Sequence, residues 1–344
     1  MTWSRLKGHD ALLAGFRRVV QRGRLAHAYL FVGPQGVGKK TFAVELARAL
    51  LCDRPSGPLT ACGGCTSCAL VDADTHPDLT LACRPEDKHE FPVEQMRALL
   101  ANFALKPARS RGRIVIIDQA DDFNEESSNA FLKTLEEPPP GSLLILISFN
   151  AERQLPTIVS RCQVVRFRPL ADELVREILQ HHQVEEHLMD RLVRLAGGSP
   201  GRALALSDPQ LWGFREQLLQ GLLHKPLDTS ELGRNWLAFV EQAGKESAPQ
   251  RQRARALVGL LVDVLADALR VQQGARPVRT GPEDAKLVQA FAGRLDHESL
   301  MALIERGMET EDHLERRVQL VLALEAFLDA AAQRLGGAAS VAGV

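Results

Sequence analysis

The sequence predicts a P-loop α/β domain at its N-terminal end, a short helical segment after it, and an all-helical remainder. Three observations carry this reading. His27 to Thr41 reads as an apolar strand (Ala28 to Val32), a glycine-rich turn and the start of a helix, the order in which backbone N–H groups and a helix N-terminus converge on phosphate oxygens. Arg113 to Asp118 and Leu143 to Ser148 are continuous apolar runs, as in strands covered on both faces of a parallel sheet. From Gln210 onward there is no glycine-rich loop and no β-branched run; only apolar residues at helical spacing remain.

Composition narrows the possible functions. A chain of 344 residues suits two or three domains, and 45% hydrophobic content supports sizeable cores. The formal net charge is −1, so no global field draws the chain to nucleic acid, and any such contact is a local patch. Arginines cluster at Arg17, Arg18, Arg22 and Arg24, at Arg109, Arg111 and Arg113, and at Arg251, Arg253 and Arg255. Solvated helix or loop faces are the simplest account of each. No apolar run reaches the length of a membrane span and no secretory signal opens the chain, which predicts a cytoplasmic setting in which thiols stay reduced.

In chain order, Thr2 to Gln21 is expected as an amphipathic helix, with Leu12, Leu13, Phe16, Val19 and Val20 on one side. In the turn after the first strand, Gly33 and Gly38 have the G-x-x-x-x-G spacing with Gly36 between them, and Lys39 stands where the phosphate lysine belongs. The next position, where a Ser or Thr hydroxyl helps hold magnesium, is Lys40; Thr41 comes one residue late, about 100° round the helix. Such a loop can bind the phosphates of ATP or ADP but is poorly equipped to use them. After a helix to Leu51, the loop of residues 52–68 carries Cys52, Cys62, Cys65 and Cys68. Four thiolates in a reducing compartment suit a structural zinc. An iron–sulfur cluster, short of its C-x3-C-P element, and free or redox-active thiols are the alternatives. His76 is a weaker ligand, and Cys83 and Cys162 are expected as small core residues.

A strand over Asp78 to Cys83 and a helix from about Val93 to Phe103 follow. The run Arg113 to Asp118 ends in a carboxylate at the C-terminal edge of a buried strand, the place of a Walker B aspartate that helps hold magnesium; the simpler alternative has Asp118 cap the turn. Gln119 stands where ATPases of the AAA+ type carry a water-polarising glutamate, and Asp121 and Asp122 come too late to replace it. Further helices are expected over Ala171 to His182, Glu185 to Ala196, Leu211 to Leu223, Glu231 to Ala243, Gln250 to Gln272, Lys286 to Leu295, Ser299 to Thr310 and Glu315 to Leu335.

The string Asn129-Ala-Phe-Leu-Lys-Thr-Leu-Glu-Glu-Pro-Pro139 resembles the N-A-L-L-K-T-L-E-E-P-P stretch of bacterial clamp-loader subunits, and Ser160-Arg161-Cys162 resembles their S-R-C motif. With the four cysteines, the chain is similar to members of the AAA+ clamp-loader family, densely so over roughly residues 26–206. The resemblance implies a RecA-like AAA+ α/β domain over residues 1–168, a small helical lid over 169–208, an all-α collar domain over 209–335 that holds a pentamer together, and a disordered tail, 336–344. It implies that Arg161 is a finger reaching the ATP of a neighbouring subunit, a role suited to a planar, always-charged fork; a plain helix-end cation is the alternative. The family's motor subunit carries G-K-T, D-E and a sensor-2 arginine, where this chain has Lys40, Gln119 and Gly201, with Arg202 one place late. That combination predicts a DNA polymerase III subunit that completes a neighbour's site without running its own. Its implied partners are the gamma/tau motor subunits and the delta subunit and, through them, the sliding clamp and primed DNA. The chain itself is expected to show no polymerase and little or no ATPase activity. An ATP-hydrolysing motor subunit and a zinc-dependent nucleic-acid-binding module are the competing readings.

Overall fold

The computed structural model describes residues 3, 6–85, 88, 90–109, 112–245 and 247–336. Thr2 at the head of the expected first helix, Arg111 in the second arginine cluster, and the tail beyond residue 336 lie outside the described residues. The chain divides into two compact units: residues 1–178 with 197–201, and residues 179–196 with 202–344.

The first unit is built on a parallel sheet. Strands β1 (Ala28–Val32), β2 (Leu79–Ala82), β3 (Ile114–Ile117), β4 (Leu143–Ser148) and β5 (Gln163–Arg166) lie in the order β2-β3-β4-β1-β5, with Leu30 paired to Leu146 on one side and Val164 on the other. Helices α1 (Asp10–Gln21), α2 (Lys39–Leu51), α3 (Thr66–Asp72), α4 (Val93–Phe103), α5 (Glu125–Glu136), α6 (Pro156–Val159) and α7 (Asp172–His181) connect and flank them. Side chains alternate across a strand, and this period sorts the two faces. Leu30, Val32, Val115, Ile117, Leu144 and Leu146 share one core with α4 and α5, through Met96, Leu99, Phe103, Phe131 and Leu135. On the other face Phe31 meets Phe42 of α2 at 5.8 Å, and Phe42 meets Phe16 of α1 and Phe167 each at 5.4 Å.

The expected strands and helices of this unit are present, with the first helix beginning at Asp10 among the described residues. β5 was not expected. It is four residues long and only Val165 is buried, so neither length nor alternation marks it. Cys162 is partly buried against the sheet core. Cys83, expected in the core, is exposed: it follows the last residue of the short strand β2, where the backbone leaves the sheet.

The second unit is helical: α8 (Glu186–Ala196), most of α9 (Pro200–Ala205), α10 (Pro209–Leu223), α11 (Thr229–Glu241), α12 (Ser247–Gln272), α13 (Ala285–Arg294), α14 (His297–Glu315) and α15 (Leu320–Leu335). Residues 169–208, expected as one lid, are divided between the units. Helices α12 and α14 approach closely because Gly307 has no side chain; a Cβ there would collide with Val262. Trp236 of α11 meets Phe327 of α15 edge-on at 6.0 Å. The buried Asp267 accepts from the N–H groups of Val278 and Thr280 at 2.9 and 2.6 Å and so ties down the loop after α12. The last two helices divide later than the sequence suggests. α14 runs on to Glu315, and the break falls at Arg317, a left-handed residue (φ 62°) with no glycine or proline to announce it.

Candidate nucleotide site and metal centre

The glycine-rich turn closes tightly between β1 and α2. Gly33 (φ 150°), Gly36 (φ 77°) and Gly38 (φ 100°) all take positive φ, and a Cβ on Gly33 would collide with the Phe167 carbonyl, which only glycine avoids. Gly38 is the N-cap of α2, its carbonyl accepting from the Phe42 N–H at 2.9 Å. The buried Lys39 folds back over this turn and donates to the Gly33 and Pro34 carbonyls at 2.6 and 2.7 Å. Burial pulls its ammonium below the usual lysine range, while Asp118 and Asp121 pull the other way.

Asp118 leaves β3 at the edge of this turn, and its Oδ2 lies 3.3 Å from Nζ of Lys40. The residue that displaces the expected hydroxyl thus also neutralises the Asp118 carboxylate. Thr41 is carried on α2 with Lys39 and Lys40 and makes no polar contact with Asp118 among the described residues. Gln119 stands in left-handed backbone (φ 58°), with its N–H donating to Asp118 Oδ1 at 3.1 Å. Asp121, dismissed by the sequence reading, takes part in the site's field. It accepts from the Ser148 hydroxyl at 2.6 Å and the Phe149 N–H at 2.8 Å, so it links the ends of β3 and β4 and is committed as an acceptor. Asp122 pairs with Arg84 at 2.6 Å.

Gly201, where the sequence predicted a lost sensor-2 arginine, makes a backbone contact instead. Gly201 donates its N–H to the Gly36 carbonyl at 3.0 Å, and the Ser199 hydroxyl donates to the Gln35 carbonyl at 2.7 Å. A Cβ on Gly201 would lie 2.6 Å from Gly36 Cα, so this approach excludes any side chain at position 201. Arg202 is ion-paired to Asp263 at 2.8 Å within the helical unit.

Arg161 stands apart from these residues, just after α6. Its guanidinium donates to Glu136 Oε1 at 2.6 Å and to the Thr157 carbonyl at 3.0 Å, and the side chain stays 35% exposed. Glu136 closes α5 inside the string that carries the resemblance, yet its pairing with Arg161 had no signal in spacing.

The four cysteines converge. Sγ atoms of Cys52, Cys62, Cys65 and Cys68 all lie within 4.8 Å of one another, and Cys52 and Cys65 are 3.9 Å apart; a tetrahedral zinc with Zn–S bonds of about 2.3 Å needs roughly 3.8 Å. Cys62 is exposed and the other three are buried. The Cys62 and Cys68 N–H groups donate to Cys52 and Cys65 sulfurs at 3.3 and 3.4 Å. Burial pushes the Cys52 and Cys68 thiols up, Cys68 to about 12. Burial pushes Cys65 up too, but N–H donors including that of Cys68 outweigh it and hold the thiol at about 6, as expected for a sulfur capping a helix start. The donor set fits a metal. Cys83, Cys162 and His76 are outside it.

A polar brace that the sequence did not announce supports this loop. The buried His76 accepts from the Asp78 N–H at Nδ1 (3.1 Å), so Nε2 carries the proton and donates to Ser67 Oγ (3.3 Å), which donates to Asp53 Oδ1 at 2.9 Å. Ser67's hydroxyl and N–H, with Arg109, hold the Asp53 carboxyl at about 2. Asp53 adjoins Cys52 and Ser67 adjoins Cys68, so the brace fixes both ends of the thiol set, as partners behind metal ligands commonly do.

The family described as DNA polymerase III, delta subunit, matches residues 8–171, and DNA polymerase III, delta subunit, C terminal, matches residues 209–329. DNA polymerase III subunit delta' of Pseudomonas aeruginosa is 37% identical over 224 residues, covering 62% of this chain and 67% of that one. Subunit delta' of Escherichia coli is 30% identical over 285 residues, covering 83% and 81%. Subunit tau of Escherichia coli is 34% identical over 213 residues, which are 60% of this chain but 32% of that protein. The tau match thus reaches only a part of a longer chain, whereas the Escherichia coli delta' match covers about four fifths of both chains, and the chain belongs to the delta' family of DNA polymerase III subunits.

Proposed function

We propose that this chain works as the delta' member of a DNA polymerase III clamp loader, bound to gamma/tau motor subunits and a delta subunit, and helps place a sliding clamp on primed DNA. In this reading residues 1–168 are the AAA+ domain, 169–208 the lid and 209–335 the collar, and the protein acts in the cytoplasm at the replication machinery. Cys52, Cys62, Cys65 and Cys68 hold a structural zinc, which keeps the 52–68 loop and the start of α3 folded.

The observation that carries the catalytic side of the proposal is the 3.3 Å pairing of Lys40 with Asp118. With the metal-binding hydroxyl replaced by an ammonium, and the water-polarising glutamate replaced by Gln119, the chain turns over ATP negligibly on its own. Arg161 retains what a neighbour's site needs: a charged planar fork, accessible after α6, that pairs with phosphoryl oxygens. An arginine finger is worth roughly 10³–10⁵ in rate in GTPases. A loader has several ATP sites and this chain borders one of them, so the loss in the whole complex is smaller.

Steady-state ATPase of the reconstituted complex, with clamp and primed DNA, tests this. Arg161→Ala is expected to assemble normally and to lower DNA-stimulated hydrolysis and clamp loading, and Arg161→Lys to rescue poorly, since a point charge does not reproduce the fork. An assembled Ala variant that matches the parent rate would reduce Arg161 to a surface cation.

A further inference from the structure

The three arginine clusters of the sequence meet different fates in the fold. Arg109 pairs with Asp53 at 3.2 Å, and Arg113 donates to the Asn102 side chain at 3.0 Å. In the helical unit Arg251 donates to the Val318 carbonyl at 2.7 Å, Arg253 pairs with Asp208 at 2.8 Å and Arg255 with Glu315 at 3.2 Å. These guanidiniums brace the fold. The first cluster braces nothing: Arg17, Arg18, Arg22 and Arg24 are all exposed, and among the described residues none of their side chains has a hydrogen-bond or ion-pair partner.

Local structure holds these four together. Helix α1 buries Leu13 and Phe16, with Phe16 against Tyr29 at 5.0 Å and Phe31 at 6.0 Å, so its opposite side is fixed toward solvent. Gly23 takes positive φ (61°), and the Arg24 N–H returns to the Val19 carbonyl at 3.0 Å, a bond that folds the chain back over a helix end. Arg24 therefore stays beside the last turn, and Arg17 to Arg22 span only about 7.5 Å along the axis. The one acid of the helix, Asp10, stands seven residues before Arg17, about 10 Å back along the axis. Ala11 and Ala14 share the exposed side, so no long side chain stands in front of the patch. The helix dipole favours a cation in the last turn, which accounts for one arginine and not for four. Arg18 and Arg22, four residues apart, are a like-charged pair that disfavours the helix.

Unpaired arginines fit an anionic partner, and the rest of the surface narrows its class. Protein-binding faces gather aromatic and large apolar side chains at their centre. The exposed large apolar residues are Leu105, Phe149, Val278, Met301, Met308 and Leu322, none of them on α1. Single-stranded nucleic acid is held by stacking on exposed rings, and the one aromatic residue between 10 and 26, Phe16, is buried. A closely spaced line of phosphates, met by charge alone, remains. We propose that α1 and its C-terminal turn bind the phosphate backbone of duplex nucleic acid through Arg17, Arg18, Arg22 and Arg24, without reading sequence. A duplex carries one charge per roughly 1.7 Å of axis, so the patch neutralises about three phosphates. The inference stands on this patch and not on the clamp-loader role, and the two fail separately: assembly with other subunits tests the role, and duplex binding by the chain tests the patch.

The experiment is fluorescence anisotropy of a labelled duplex of arbitrary sequence, titrated with the full-length chain over a salt series. The expected slope of log K against log salt is about −3, since each neutralised phosphate contributes about −0.9. Replacing all four arginines by alanine, which favours helix at least as well, should weaken binding about tenfold or more at low salt and flatten the slope. Four lysines should keep the affinity within about threefold, because a phosphate accepts a point charge. Arg18→Ala alone should lower the slope by about 0.9, a readout that does not depend on the fourfold variant folding. A control removes the same charge elsewhere, through Arg234→Ala, Lys245→Ala, Arg276→Ala and Lys286→Ala, all at exposed positions, and should bind as the parent does. A parent that binds no duplex at low salt, a fourfold alanine variant that binds as the parent does, or a control that loses as much would each overturn the proposal. Binding that vanishes on metal chelation would overturn it in favour of the cysteine loop. A fourfold variant that keeps duplex binding but no longer assembles with gamma/tau and delta subunits would overturn it in favour of a protein interface.

Discussion

A methyl group is enough to test the contact at Gly201. Its Cβ would arrive 2.6 Å from Gly36 Cα, against backbone rather than a yielding side chain. Gly201→Ala is therefore expected to cost about 1–3 kcal/mol, the usual range for overpacking, read as a lower urea midpoint with an unchanged slope. Gly213→Ala in α10, where nothing lies within 4 Å, is the control, and should be neutral or stabilising by up to about 1 kcal/mol. Equal midpoints for the two variants would remove the argument for close approach. At this scale the sequence was most informative where chemistry fixes spacing: Gly33, Gly38 and Lys39 share one tight turn between β1 and α2. It was blind where a partner comes from another element. Asp121 looked misplaced because Ser148 and Phe149, which hold it, follow it by more than twenty residues.

Among elements, the cysteine loop makes the sharpest claim. Elemental analysis of protein purified without added metal is expected to return about one zinc per chain, and chelation to open the 52–68 loop and the start of α3, because affinity for a structural metal becomes folding free energy. Iron, or no metal with all four thiols freely titratable, would end the assignment. Because thiolates are the ligands, zinc affinity should fall as pH is lowered, in a chelator competition run from pH 8 to pH 6. The grouping of the four thiols was legible in the spacing of Cys52, Cys62, Cys65 and Cys68, whereas the loop's support by Asp53, Ser67 and His76 depends on chain folding back from residue 76 to residue 53. Element boundaries followed the same logic. α4 begins and ends where apolar spacing does, while β5 and the break at Arg317 lack both periodicity and turn residues.

For the molecule as a whole, stability should carry a mark of buried acid in the helical unit. Burial pushes the Glu311 carboxyl up from its ordinary 4.5, against the pull of Arg255 and Arg202, and Asp263 on α12 is pushed up in the same way. A carboxyl with a raised folded pKa binds more protons folded than unfolded, so stability is highest below the unfolded value and declines as pH rises towards the folded one. Glu311→Gln removes this decline. The variant should be at least as stable as the parent at pH 7 and lose its advantage below about pH 4.5, where the parent carboxyl is neutral in both states; a variant that is less stable at pH 7 would show that the arginines outweigh burial. The composition foretold sizeable cores, but no local signal marks unit boundaries that cross α7 and α9, since these are set by long-range packing.

The strand order also sets a schedule for synthesis. β1 lies between β4 and β5, and Leu30 finds its neighbour Leu146 more than a hundred residues later in the chain. At roughly 5–20 residues per second, the fully apolar segment Ala28–Val32 spends on the order of ten seconds on the ribosome without either of its sheet neighbours. Pairings this distant in sequence form slowly and leave strand edges open to other chains. The nascent chain is thus most vulnerable to aggregation in the strand that leads into the glycine-rich turn, and a chaperone that shields an extended apolar strand would raise its yield more than one that acts on the helical unit.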